Sequence, residues 1–289
     1  GATVVNFNPL YAERELAHQI EDSETDIMVT LDLASLYDKL APLLGRTRLK
    51  RVVVCRMVDI LPAPKSWLFA LSMQRRLAVV QDGDSHTTFR RLVANDGDLT
   101  PPAIDPATAI AVLQYTGGTT GVPKAAMLTH AGIYANAVQS ARWFAEVPTE
   151  GPESVLGVLP LFHVFAMTCV MNWSLIRGAA MVLVPRFQLK GLLRTIHRKK
   201  PTAMPVVPTI LTAINGFDRL ARYDLTSLRF CISGGAPLPL EVKQQFEARS
   251  GSRVVEGYGL SESSPVLCCN PIDGRVRPGS VGLPYPGTT

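Results

Sequence analysis

The sequence predicts an α/β protein built on two doubly wound, mostly parallel sheets with helices packed between and around them. Three observations carry that expectation. Short apolar runs of strand length alternate with segments of helical period along nearly the whole chain. With 289 residues and 47% hydrophobic content, there is enough apolar side chain for a large core in one domain or two. Glycine-bearing strings fall where strands are expected to end, which is where open α/β sheets build sites.

Taken in order, residues 1–7 open on a strand-like apolar run with no start methionine or leader, so the chain reads as cut from something longer. A helix is expected over Tyr11–Glu21, a strand over Asp26–Leu31, a helix over Leu33–Leu44 and a strand over Arg51–Cys55. Residues 57–81 break the rhythm. There, Leu61-Pro62-Ala63-Pro64-Lys65-Ser66-Trp67-Leu68-Phe69 sets prolines and apolar bulk ahead of Arg75-Arg76. The expected arrangement is an apolar loop and short helix packed on the core; the alternative is a peripheral contact with an anionic membrane surface. The connector Leu99-Thr100-Pro101-Pro102 leads to a strand over Ala109–Leu113, a glycine-rich loop, and a helix over His130–Phe144 with Thr129 as its N-cap. Strands over Ser154–Leu159, Ala180–Val184, Ala203–Val207, Leu228–Ser233 and Val254–Glu256 then alternate with helices over Val164–Ile176, Leu189–Lys200, Pro208–Gly216 and Leu240–Ser250.

The bulk properties narrow the function. Net charge is +5 and the pI is near 9.0, which suits anionic substrates or an anionic surface. The charge is too dispersed for nucleic acid, and none is expected as a partner. Cys55, Cys169, Cys231, Cys268 and Cys269 have no metal-ligand spacing and read as reduced thiols of a cytoplasmic protein. Cys268 and Cys269, adjacent in an extended segment, should point apart. The apolar stretch from Val164 to Val184 contains Asn172 and Arg177, so it reads as a buried helix and strand, not a membrane span.

The chemistry centres on Tyr115-Thr116-Gly117-Gly118-Thr119-Thr120-Gly121-Val122-Pro123-Lys124. Glycines let several backbone N–H groups face one concavity, Thr116, Thr119 and Thr120 add hydroxyl donors, and Lys124 adds a compact charge. That composition suits a polyphosphate. It is not the common nucleotide loop, which needs Lys directly after the last Gly and a Ser or Thr after the Lys.

The string resembles the phosphate loop of the adenylate-forming superfamily, which includes acyl-CoA synthetases, luciferases and peptide-synthetase adenylation domains. Ala125 stands where that family usually has Gly. Three further strings match in family order. Leu159-Pro160-Leu161-Phe162-His163-Val164-Phe165-Ala166-Met167 resembles the acyl-pocket motif, Ser233-Gly234-Gly235-Ala236-Pro237-Leu238 the adenine loop, and Glu256-Gly257-Tyr258-Gly259-Leu260-Ser261-Glu262 the segment facing it. Asn8-Pro9-Leu10-Tyr11 and the His163 string look most like the bacterial medium- to long-chain fatty acyl-CoA synthetases.

The resemblance implies ATP-dependent activation of a fatty acid to acyl-AMP, followed by transfer to CoA. In its terms, Thr116, Gly117, Gly118, Thr119, Thr120, Gly121 and Lys124 grip the β- and γ-phosphates. Gly234, Gly235, Ala236, Pro237, Glu256, Gly257, Tyr258 and Gly259 enclose adenine. Ser261, where the family has Thr, contacts the α-phosphate, and Glu262 holds Mg²⁺. His163, Phe165, Met167, Val206, Val207 and Pro208 line the acyl site, although Met167 replaces the aromatic gate of some relatives. Lys124, His163, Ser261 and Glu262 are the catalytic candidates. A peripheral contact on the inner face of the membrane is compatible with such a substrate. The resemblance divides the chain into subdomains at 1–150, 151–270 and 271–289, the last being the start of a barrel-like piece. The family's ribose-binding Asp and mobile-lid Lys lie beyond residue 289, so this chain is expected to be poorly active alone. Transfer to a carrier protein, or binding without catalysis, are the alternatives.

Overall fold

The structure is a computed structural model that describes residues 1–80, 83–116, 123–147, 151–274, 277 and 279–288. Along the chain, β1 (Val4–Val5) is followed by α1 (Glu13–Asp22), β2 (Ile27–Leu31), α2 (Ala34–Leu40), β3 (Arg51–Cys55), α3 (Met57–Ile60), α4 (Lys65–Ser72), β4 (His86–Thr88) and α5 (Phe89–Leu92). Next come β5 (Ile110–Thr116), β6 (Lys124–Thr129), α6 (His130–Trp143), β7 (Ser154–Gly157), α7 (Val164–Ala166), a π-helical segment (Met167–Asn172), α8 (Trp173–Arg177) and β8 (Ala180–Leu183). The chain closes with α9 (Leu189–Lys199), β9 (Ala203–Val206), α10 (Pro208–Asn215), β10 (Phe230–Ser233), α11 (Leu240–Ser250), β11 (Arg253–Gly259), β12 (Val266–Cys269) and β13 (Leu283–Pro284). It divides into two units, Phe7–Ala103, and Gly1–Asn6 together with Ile104–Thr289. Residue 150 therefore lies inside the larger unit.

The smaller unit is a parallel sheet in the order β2-β3-β4. Helix α1 begins where the Glu15 carboxylate accepts the Ala12 N–H at 2.8 Å, and its 3.6-residue period buries Leu16 and Ile20. These pack with Tyr37, Leu40, Leu43, Leu49, Val52 and Val54. The short strand β4, which polar His86-Thr87-Thr88 did not announce, is held by β3 and by the Tyr37 hydroxyl at 2.9 Å from His86 Nε2. The arrangement expected over residues 57–81, packed on the core, is found only at its end, where Ala78 and Val80 pack against the cluster. Helices α3 and α4 bury no residue, and Trp67, Leu68 and Leu71 are 71%, 63% and 80% exposed.

The larger unit holds two sheets. One is three-stranded, with β1 parallel and β6 antiparallel to β5. The other has the order β13-β12-β11-β10-β9-β7-β8, parallel from β11 to β8 with an antiparallel edge of β12 and β13. The α/β class therefore holds, with three sheets among the described residues. Successive strand residues enter opposite apolar clusters: Cys231, Met204 and Val254 face Leu192, Ile196, Leu211 and Phe246, while Phe230, Ile232 and Val255 face Phe144, Val170 and Trp173. Both faces are covered by helices, as a parallel sheet requires. The Phe144 and Phe230 rings stack at 4.6 Å.

Two local readings change. Lys124–Thr129, expected to run from loop into helix, is strand β6, with Lys124 opposite Thr116. Ala125-Ala126-Met127-Leu128 contains no β-branched residue, so propensity is silent and pairing with β5 decides. Thr129 then caps α6 as expected, accepting the Gly132 N–H at 3.1 Å. The helix expected over Val164–Ile176 is continuous to Arg177 but passes through the π-helical segment, an irregularity common near functional sites. Gly178, at φ +64°, ends it. Cys268 is half-buried and Cys269 buried, both free, on opposite faces of β12. Among the described residues no helix is long and apolar enough to cross a membrane.

Candidate functional site

In the larger unit, a cavity of about 410 Å³ opens where β5, β10 and β11 end. Four stretches of sequence that lie far apart meet there, each delivered by a strand end.

From β5 come Gln114, Tyr115 and Thr116. The Thr116 hydroxyl donates to the Lys124 carbonyl at 3.4 Å, so Lys124 begins β6 beside a cavity-lining residue, its own side chain exposed. The loop residues Gly117, Gly118, Thr119, Thr120 and Gly121 lie outside the described residues.

The turn after β7 supplies Pro160 and His163, and α7 supplies Val164, Phe165 and Ala166. The turn closes by a His163 N–H to Pro160 carbonyl bond of 3.1 Å, and the helix starts as Met167 N–H donates to the His163 carbonyl at 2.9 Å. The Phe162 and His163 rings lie 4.5 Å apart. The residue as a whole is exposed, yet partial desolvation against the cavity wall holds the His163 imidazole below its ordinary value, because the charged form is less well solvated there. It is therefore neutral at pH 7, able to donate from one ring nitrogen and accept at the other. Stability follows from the sign. The unfolded chain takes the proton more readily, so stability falls as pH drops through about 6.5 and has no such component above it. Between pH 7 and 5.5 the unfolding temperature of the parent chain should fall further than that of His163→Phe, as read by calorimetry.

After β10, Gly234 and Gly235 form the floor. Gly234 N–H donates to the Val206 carbonyl at 3.1 Å, and a Cβ on Gly234 would stand 3.2 Å from the Phe165 ring. The phenyl group thus rests on bare backbone. Gly235 adopts φ +80°, which favours glycine. Ala236 and Pro237 are exposed outside the lining. Glu256 does not line the cavity either: its carboxylate accepts the Leu238 N–H at 3.1 Å and so holds the loop that follows Gly235.

From β11 come Gly257, Tyr258 and Gly259, and from the turn beyond it Leu260 and Ser261. Tyr258 is about half exposed, its ring available to a planar group. Gly259 sits at an irregularity between β11 and β12, where an added Cβ would fall 2.1 Å from the Pro265 carbonyl oxygen. Glu262 is exposed on the 3₁₀ turn Ser261–Ser263, beside the lining.

Of the acyl-site candidates, His163, Phe165 and Val207 line the cavity. Met167 and Val206 are buried in neighbouring core, and Pro208 is buried in the first turn of α10. Tyr115, Leu159, Pro160, Val164, Ala166 and Leu260 line the cavity from within the quoted motifs without having been singled out as site residues, and sequence reasoning missed Gln114, Ile232, Pro265 and Val266 altogether. Among those four, a signal existed only for Gln114, the one amide within the apolar strand Ile110-Ala111-Val112-Leu113-Gln114-Tyr115. Chemically the cavity offers an apolar interior, glycine backbone that a flat group approaches closely, one aromatic ring, one neutral imidazole and hydroxyls at the rim.

The model of the family described as AMP-binding enzyme matches residues 1–289. The long-chain-fatty-acid–CoA ligase of Bacillus subtilis is 43% identical over 291 residues, covering all of this chain and 51% of that protein. The crystal structure of a long-chain-fatty-acid-CoA ligase from Archaeoglobus fulgidus superposes with a TM-score of 0.76 at 25% identity, covering 98% of this chain and 52% of the other. ATP-bound MatB from Rhodopseudomonas palustris gives 0.71 at 26% identity, covering 99% and 50%. The chain spans about half the length of the curated relatives it matches. With a match along its whole length, the chain belongs to the AMP-binding enzyme family.

Proposed function

We propose that this chain carries the ATP and acyl sites of a fatty acid–CoA ligase. The supporting observation is the single cavity in which the His163–Phe165 stretch meets Gly234-Gly235 and Gly257–Ser261. It sets an apolar entrance against a glycine cradle, so a carboxylate and an α-phosphate held on either side would meet. A fatty carboxylate oxygen attacks the α-phosphorus of ATP, the bond to pyrophosphate breaks, and acyl-AMP forms. The CoA thiol then attacks the acyl carbonyl, losing its proton, and AMP leaves.

In this reading Lys124, Thr116 and the loop Gly117-Gly118-Thr119-Thr120-Gly121 offset the charge of the departing pyrophosphate. Ser261 contacts the α-phosphate. Adenine lies between Gly234-Gly235 and the Tyr258 ring, with Glu256 holding the loop, while His163, Phe165 and Val207 face the carboxyl end of the fatty acid. Met167, Val206 and Pro208 act from behind, as packing. Glu262 suits Mg²⁺: the described residues hold no cluster of three or more acidic, His or Cys side chains, and this ion takes one or two carboxylates and completes its shell with phosphates and water. Bound there, Mg²⁺ would neutralise phosphate charge. The subdomain limits near residues 150 and 270 remain part of this proposal. A pyrophosphate-release assay tests it: release from ATP that depends on long-chain fatty acid supports the reading, whereas fatty-acid-independent cleavage to ADP would defeat it.

A second observation favours contact with a membrane surface, where such a substrate resides. Helix α4 presents Trp67, Leu68 and Leu71 to solvent, with exposed Lys65 at its start and exposed Arg75 and Arg76 in the 3₁₀ turn that follows it. Apolar insertion plus attraction to anionic headgroups is an interfacial pattern. The chain should co-sediment with anionic liposomes at low salt, and a Trp67→Ser, Leu71→Ser double variant should bind at least about tenfold more weakly. Equal binding by parent and variant would remove the membrane assignment.

A further inference from the structure

Gln114 is the least expected residue around the cavity. It is 4% exposed in the middle of an apolar strand, and burying an amide there costs free energy unless both of its ends are paired. Both are. Its Nε2 donates to the Phe162 carbonyl at 3.0 Å, across 48 residues of sequence. Its Oε1 accepts from Asn6 Nδ2 at 3.3 Å, across 108 residues. The order of donors is fixed by chemistry: a carbonyl only accepts, so the Gln114 nitrogen must face Phe162 and its oxygen must face Asn6. Asn6 Nδ2 also lies 4.0 Å from Met167 Sδ, just past the first turn of α7. One buried amide thus ties the end of the segment bearing β1, strand β5 and the turn before α7.

The bond to Phe162 matters because of its neighbour. Phe162 O belongs to the peptide that leads directly into His163, the imidazole that faces the cavity. That turn is otherwise closed by a single internal bond, His163 N–H to Pro160 O. Rotation of the Phe162–His163 peptide would swing the imidazole, and the Gln114 donor is what opposes it from outside the turn.

We propose that Gln114, oriented by Asn6, is a positioning residue that fixes the peptide before His163 and so sets where the imidazole meets the acyl carboxylate. The role of His163 rests on the fatty acid–CoA ligase reading above; its placement by Gln114 does not.

The test uses this chain with ¹³C-labelled histidine, the His163 ring signal being assigned by its absence from His163→Phe. Gln114→Met keeps the volume and removes the donor. Its His163 signal should move, and should titrate nearer the ordinary imidazole range than in the parent, since the ring is no longer held against the partly desolvating cavity wall. Affinity for a dodecanoyl-sulfamoyl-adenosine probe should fall about tenfold, while affinity for MgATP alone stays within about twofold. Gln114→Glu should resemble Gln114→Met at pH 8, where the carboxylate cannot donate, and regain the parent His163 signal near pH 6 as the carboxyl takes a proton. That rescue separates positioning from simple packing. An unchanged His163 signal in Gln114→Met, with only a lower unfolding temperature, would overturn the proposal; if that variant does not fold, the pH response of Gln114→Glu decides in the same way. Should the parent bind neither MgATP nor the probe, the ligase reading fails, and the histidine signals still decide the placement.

Discussion

Replacing Gly259 by alanine should lower the unfolding temperature by roughly 6–12 °C and remove nucleotide binding with it. The cause is a backbone collision. An added Cβ would lie 2.1 Å from the Pro265 carbonyl oxygen, 2.7 Å from its carbon and 3.0 Å from Val266 Cα. No side chain can swing away to relieve it, so β11 and β12 must separate. That breaks the register Gly259↔Val266 and strains the 3.0 Å bond from Leu260 N–H to the Pro265 carbonyl. Overpacking against backbone with loss of a strand-end bond costs about 3 kcal/mol, and each kcal/mol moves the midpoint of a chain of this size by about 2–4 °C. Tyr258, one residue back, loses its setting at the cavity. Gly257→Ala is the control: its Cβ would sit 3.5 Å from the Cys268 carbonyl oxygen, in ordinary contact, and stability should stay within about 1 kcal/mol of the parent. A Gly259→Ala protein that melts with the parent would show that the two strands separate there at little cost.

Lys124→Ala should weaken MgATP binding by about 10- to 100-fold while leaving the unfolding temperature within about 2 °C. The side chain is exposed and contributes little to packing. Its place follows from β5–β6 pairing, which sets it opposite Thr116 at the edge of the cavity. A charge-assisted bond to phosphate contributes about 1.5–3 kcal/mol, which gives the stated range of affinity. Lys124→Arg should recover part of the loss, since it keeps the charge on a broader, planar head. Calorimetric titration measures both variants. If Lys124→Ala bound MgATP as the parent does, the phosphate assignment would have to move to other residues.

Much of this protein was legible in its sequence, for reasons that are local. Helix α9 carries a 3.6-residue apolar period, and both α9 and α11 end next to residues with left-handed backbone, Lys200 and Gly251, so their limits were read to within one residue. Strand β3 is a run of β-branched residues, and its limits were read without error. The glycines of the site were legible because close backbone approach leaves few other choices, as the Phe165 ring on Gly234 demonstrates. What escaped depends on partners distant in the chain. Strand β6 exists because β5 pairs with it, and β4 because β3 does. Gln114 gains its meaning from Phe162 and Asn6, and Pro265 from Gly259. Val206 sits beside a motif and was read as acyl wall, yet β9 is covered on both faces and Val206 points into core, leaving Val207, the next residue, to reach the cavity. Periodicity locates a strand; only the assembled sheet says which side of it meets the ligand.

The measurement that most directly tests the assignment of one joint ATP and acyl site is a competition titration on this chain. Dodecanoyl-sulfamoyl-adenosine, which fuses an acyl chain to a nucleotide, should bind at one site per chain, more tightly than MgATP or dodecanoate separately, and each of those two should displace it. Binding that MgATP fails to displace, or stoichiometry requiring separate nucleotide and acyl sites, would contradict the assignment.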